Sequence, residues 1–232
     1  MLMMKRRLAI LLTGVCMVVG LSAQAWAVGG IDTPDPNLPP VGGPYMSPAD
    51  IHAMYSGPGL MAVLSKIEHR AFSGAIRNPV GGDEHEQFNS SLNGQATVDL
   101  GGGPMGPIPI EMEGLVSTIV FGKVGNTTGT FDTEMLSMSL TGTTPFGPVM
   151  VRESPTLPSL GRTSITDLGS GMGPYHIDSF FDVFTELSLD GGQSWVPSQG
   201  STRVNLCPEP ASAALLGLAL VGLAGLVRRR GN

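Results

Sequence analysis

Apolar residues are arranged in two ways along these 232 residues. Each end carries an uninterrupted apolar run, Leu8 to Leu21 and Ala211 to Val227, with a basic triplet beside it. Between the ends, apolar and polar positions mostly alternate, broken at short intervals by Gly and Pro. A period of two marks strands with one buried face. It predicts strands over Gln95 to Leu100, Leu115 to Phe121, Thr130 to Leu140, Val149 to Glu153, Thr163 to Leu168, Tyr175 to Leu189 and Thr202 to Leu206. Gly125-Asn126, Thr141-Gly142, Gly171-Met172-Gly173 and Asp190-Gly191-Gly192 read as the turns between them. One helix is predicted, with Ser47 as N-cap, Pro48 at N1 and 49–55 as its body, stopped by Gly57-Pro58. Leu60 to Phe72 fits either a helix or a strand. The 33 glycines and 19 prolines favour turns and short strands over helices. Many short strands suggest an antiparallel sandwich or barrel. The expectation is an all-β sandwich of immunoglobulin or jelly-roll type with a short N-terminal helix.

The two ends read as targeting elements. Lys5-Arg6-Arg7, the apolar run and Ala25-Trp26-Ala27 form a signal peptide over 1–27, cleaved after Ala27. Export by the Sec machinery and cleavage by signal peptidase follow from it. At the other end, the apolar run 211–227 carries no charge. At a helical rise of about 1.5 Å per residue it spans roughly 26 Å, enough for a single transmembrane helix. Arg228, Arg229 and Arg230 hold its end on the cytoplasmic side. Pro208-Glu209-Pro210 then lies just outside the membrane, kept extended by its prolines.

This order of Pro208, Glu209 and Pro210, apolar helix and basic cluster resembles the PEP-CTERM sorting signal of Gram-negative bacteria. The resemblance covers about the last tenth of the chain, 207–232. It implies a membrane protease-transpeptidase, exosortase, as processing partner. It further implies an inner-membrane intermediate, then a final place at the cell surface or in the extracellular matrix. Such proteins typically come from bacteria that secrete exopolysaccharide, a possible partner of the mature chain.

Between the targeting elements lie a Pro/Gly-rich lead, 28–48, and a β-rich domain, 49–206. Charge narrows what this part can touch. Six of the 13 basic residues sit in the two ends, which over 28–210 leaves seven against all 19 acidic residues, a net charge of about −12. Nucleic acid needs a basic surface, so it is excluded as a partner. Cys16 leaves with the signal peptide and Cys207 is then alone, so no intramolecular disulfide forms.

Candidate chemistry is sparse. From His176 onward, Ile177, Phe181, Val183, Leu187 and Leu189 share one face; Asp178, Phe180, Asp182, Phe184 and Glu186 share the other with His176. Asp178 and Asp182 stand about 13 Å apart on a strand, beyond the about 5 to 9.5 Å of glycosidase carboxylate pairs. Ser188-Leu189-Asp190-Gly191-Gly192-Gln193-Ser194-Trp195 matches S-x-D-x-G-x-x-W and resembles the Asp-box hairpin of sialidases and other extracellular β-proteins. In it Ser188, Asp190, Gly192 and Trp195 are structural and carry no catalytic role. Gly101 to Gly106 satisfies G-x-G-x-x-G, but Pro104, Pro107 and Pro109 forbid the helix a phosphate site needs. Asp83-Glu84-His85-Glu86 reads as a solvated turn, with Ca²⁺ ligation the weaker reading. No histidine pair has metal-ligand spacing, and no nucleophile elbow is present. No catalytic residue, metal or cofactor is assigned.

The expectation is therefore a non-enzymatic surface or matrix protein, structural or adhesive and associated with exopolysaccharide. A carbohydrate- or Ca²⁺-binding module with Phe180, Phe184 or Trp195 as contacts is the alternative. A secreted hydrolase comes third.

Overall fold

A computed structural model describes residues 29–40, 42–47, 51–145, 147–169 and 174–208. All regular structure among them is β. The strands are β1 (Ile31–Thr33), β2 (Tyr45–Met46), β3 (Ile51–Gly57), β4 (Leu60–Val80), β5 (Asp83–Asp99), β6 (Met105–Val120) and β7 (Gly129–Thr144). They continue with β8 (Gly147–Glu153), β9 (Ser159–Asp167), β10 (Tyr175–Val183), β11 (Thr185–Ser188), β12 (Val196–Pro197) and β13 (Thr202–Leu206).

Four long strands, β4 to β7, form an antiparallel meander. At one pole β9, β10, β13 and β2 complete the circle: β7 pairs β9, β9 pairs β10, β10 pairs β13, β13 pairs β2, and β2 pairs β4. These eight strands make a closed antiparallel barrel. At the opposite pole β8, β11, β12 and β3 continue the same staves, with a Tyr55–Ser198 bridge between the last and the first. Ring closure lies entirely between residues 45 and 206, so the barrel is complete without the chain on either side. β1 and β2 fall in 28–48, the Pro/Gly-rich lead. β1 pairs with β10 and β2 closes the ring.

The expected sandwich is thus corrected to a barrel. A sheet of strands 16 to 21 residues long coils as it twists. Register shifts between Ser65/Glu68, Ala71/Ser73, Ser73/Ile76, Ala96/Val98 and Ser117/Thr118 bend it further, until its edges meet. Part of the error came from glycine. Thr141-Gly142 was expected to be a turn, yet both residues lie within β7. A Cβ on Gly142 would stand 2.2 Å from the Glu111 carbonyl oxygen, so the glycine serves close approach between strands rather than a turn.

The expected N-terminal helix is also corrected, since Ile51–Gly57 is strand β3. Its local start and stop signals suit a helix, but so short a helix is marginal without tertiary support. Residues 53–57 instead pair one for one with 64–60 across Pro58-Gly59. That hairpin buries Ala53 and Tyr55 and leaves Met54 and Ser56 outside. Leu60 to Phe72, ambiguous in sequence, belongs to β4.

The interior is layered. The main core includes Tyr55, Leu64, Ile67, Leu92, Met112, Val116, Leu140 and Leu187. A second cluster, Ile31, Leu38, Val120, Phe131, Ile165, Ile177 and Leu206, plugs the pole where β1 lies. Arg77 Nε donates to the Leu38 carbonyl oxygen there. The chain enters β2 and leaves β13 at this same closed pole.

Candidate functional site

The pole opposite the plug is open. A cavity of about 240 Å³ lies inside it, lined at depth by Ala62, Leu64, Ala96, Val98, Val149 and Leu187. All six are buried. Leu60, Ile108, Leu189 and Val196 form its upper wall, and Leu100, Thr144, Asp190 and Ser194 reach the mouth. The space follows from side-chain size. An eight-stranded barrel is just wide enough for side chains to fill, but four of the six inward positions here hold alanine or valine. Further down the same staves Phe88, Met112, Met135, Met138 and Phe181 fill the barrel.

The rim is shaped by the 188–196 hairpin. Asp190 Oδ1 accepts from the backbone N–H of Gln193 and of Ser194, each at 2.9 Å, and from Ser188 Oγ at 2.7 Å. Its Oδ2 accepts from Ser194 Oγ. Gly192 N–H donates to Ser188 Oγ at 2.8 Å, and Trp195 Nε1 donates to the Gly192 carbonyl at 3.1 Å. Positive φ angles of 74° and 90° at Gly191 and Gly192 make the turn possible. The Ser194 hydroxyl foremost, then the Ser194 amide and Ser188, hold the Asp190 carboxyl well below the usual carboxylate range. The rim therefore keeps a negative charge.

A second, smaller cavity of about 40 Å³ lies toward the plugged pole, among Tyr45, His69, Glu86, Ser90, Thr118 and Thr133 together with apolar side chains. Ile67, Leu92, Ile110, Met112, Met138 and Leu140 lie on the staves between the two cavities. Thr118 Oγ1 donates to Glu86 Oε2 at 2.8 Å. Glu86 Oε1 and Thr133 Oγ1 make no hydrogen bond among the described residues. Burial pushes Glu86 up to about 7, with Glu84 adding to it and Thr118, Arg77 and Lys123 opposing. Ser90 Oγ donates to the Arg70 carbonyl at 2.6 Å and contacts His69 Nε2, whose pKa burial lowers to about 4. Tyr45 donates to Ser179 Oγ at 3.0 Å, and burial raises its phenol. The chamber has room for about one water molecule, so this Ser–His contact has no space beside it for an acyl substrate.

The other residues singled out in sequence are placed as follows. Asp178, Phe180, Asp182 and Glu186 lie on the outer wall. There Arg203 pairs with Asp182 at 2.6 Å and lies over the Phe180 ring, 4.2 Å from its centre. Arg152 likewise pairs with Glu186 at 2.6 Å and lies 4.0 Å from the Trp195 ring centre. Asp182, Phe180 and Glu186 are thus engaged in cross-strand contacts with arginines, while Asp178 is exposed on the same outer wall. Asp83 to Glu86 is the start of β5 rather than a turn: Glu86 faces inward, and Asp83 Oδ1 accepts from Gly122 N–H at 2.7 Å. Among the described residues no three His, Cys, Asp or Glu side chains cluster as a metal site. Gly101 and Gly103 amides donate to Asp99 Oδ1, which closes that loop on itself at the open pole. Pro208 is exposed at the closed pole. Ala25 and Ala27, Glu209 and Pro210, the 211–227 run and Arg228, Arg229 and Arg230 lie outside the described residues.

The cup escaped the sequence reading. Its signal is the pair of small inward residues Ala62 and Ala96, which becomes visible only once the β4–β5 register is known.

Residues 207–230 match the model of the PEP-CTERM protein-sorting motif. The chain therefore carries that sorting signal, which marks an exported protein for exosortase processing. No curated protein and no solved structure matches the chain.

Proposed function

We propose that the mature chain is a non-enzymatic binding protein of the cell surface or extracellular matrix, whose working site is the open cup. The observation that carries this reading is the 240 Å³ apolar cavity reaching solvent at one pole. An eight-stranded barrel either fills its interior or holds one small ligand, and apolar concavities with a few polar groups are the usual form of a small-molecule site. A dry apolar cavity of about 150 Å³ takes benzene, so by proportion this one suits on the order of ten non-hydrogen atoms.

The structural or adhesive role in exopolysaccharide is the second reading, supported by the sorting signal. The outer wall lends less to glycan binding: of the three candidate rings, Phe180 and Trp195 already carry Arg203 and Arg152 over them, which leaves Phe184.

The test is a titration of residues 28–207 with 1-octanol, followed through the methyl resonances of Ala62, Ala96 and Val98. Saturable shifts confined to these and neighbouring methyls are expected. Unmoved methyls, with retention on the host's own exopolysaccharide, would instead favour the adhesive reading.

A further inference from the structure

The mouth of the cup has a sign. Four connections lie at the open pole, their described residues being 57–60, 99–105, 144–145 with 147, and 188–196. Their charged residues are Asp99 and Asp190, and they contain no Lys, Arg or His. Asp190 belongs to the cavity lining itself, together with the hydroxyl residues Thr144 and Ser194. Arg152, at 4.0 Å from the Trp195 ring centre, is paired with Glu186 on the outer wall. Among the described residues the wall below the mouth is aliphatic throughout, with no aromatic ring and no cation.

From this we propose that the cup selects compact aliphatic molecules with a neutral or cationic head group, such as alcohols and amines, and rejects carboxylates. The inference rests on reading the cup as a ligand site. An aliphatic body fills the space between Ala62, Ala96 and Val149, while the head remains at the level of Thr144, Asp190 and Ser194. Asp190 accepts bonds from its own hairpin, so its charge is fixed in place. A carboxylate head would lie beside that charge with no cation of the mouth to pair it. Repulsion of this kind, built against one class of ligand, is how a simple apolar pocket becomes selective.

The test compares 1-octanol, octylammonium and octanoate on residues 28–207, each measured by competition at the same cup methyls. Octanol and octylammonium should bind, with octanoate at least about tenfold weaker at low salt. The gap should narrow as ionic strength rises from about 0.01 M to about 1 M, where the screening length falls from about 30 to about 3 Å. In the double variant Asp99→Asn, Asp190→Asn the amide oxygens still accept the turn N–H bonds, and octanoate should approach octanol in affinity. Octanoate binding as tightly as octanol to the unaltered barrel would overturn the selectivity and leave the cup reading intact. So would an octanoate gap that survives the double variant. Failure of all three ligands to bind would overturn the cup reading itself, and the selectivity with it.

Discussion

Glu86→Gln isolates the cost of a buried charge in the middle of the barrel. Glu86 is 3% exposed, accepts one hydrogen bond from Thr118, and has a carboxylate oxygen that meets no donor among the described residues. Burial moves its ionisation from 4.5 to about 7. Between these two values the folded chain binds more protons than the unfolded chain, so stability falls as pH rises through that window. Above the folded-state value the full loss, about 3 kcal/mol, is present. Glutamine has nothing to ionise and keeps an oxygen for Thr118. The variant and the parent should therefore be similar in stability at about pH 4, and the variant should lead by about 3 kcal/mol at about pH 8. Urea unfolding of residues 28–207 across that range measures the gap. His69 works in the opposite direction: burial lowers it from 6.5 to about 4, so its contribution is lost as pH falls through that interval. In the parent alone the two groups partly mask each other. The comparison with the variant removes His69, which titrates alike in both. A gap that does not change with pH would refute the account of Glu86.

Two other outcomes are expected. Gly142→Ala puts a methyl 2.2 Å from the Glu111 carbonyl oxygen, which forces β6 and β7 apart. It should cost more than about 4 kcal/mol in urea unfolding, and a loss below about 1 kcal/mol would contradict the close approach. Deletion of 208–232 should leave the far-ultraviolet circular dichroism of the barrel unchanged while altering its partition between cell surface and medium. Unchanged fractionation would contradict a working sorting signal.

The legible parts of this chain were those whose meaning is local. The sorting motif needs only the order of Pro208-Glu209-Pro210, an apolar run and three arginines. The alternation in 177–189 gave the correct inner face of β10 and β11, because a strand's two sides are fixed by its own period. What failed depended on partners. Ser47 to Tyr55 satisfied helix rules, but the free edge of β4 offered β3 a longer set of bonds. Gly142 looked like a turn because its clash with Glu111 exists only after β6 and β7 pair. Sandwich and barrel share the same strand pattern and differ in whether the last strand meets the first, a contact between Asn205 and Met46 across most of the chain. The cup lay beyond reach for the same reason: Ala62, Ala96, Val149 and Leu187 come from four strands far apart in sequence.

That the chain enters and leaves the barrel at its plugged pole gives the molecule a polarity relative to the cell. The sorting motif, which continues from Cys207 and Pro208, is thus joined to the end of the barrel opposite the cup. On the proposed reading of the cup as a ligand site, occupancy of the cup and processing at the sorting motif would engage opposite ends of the barrel.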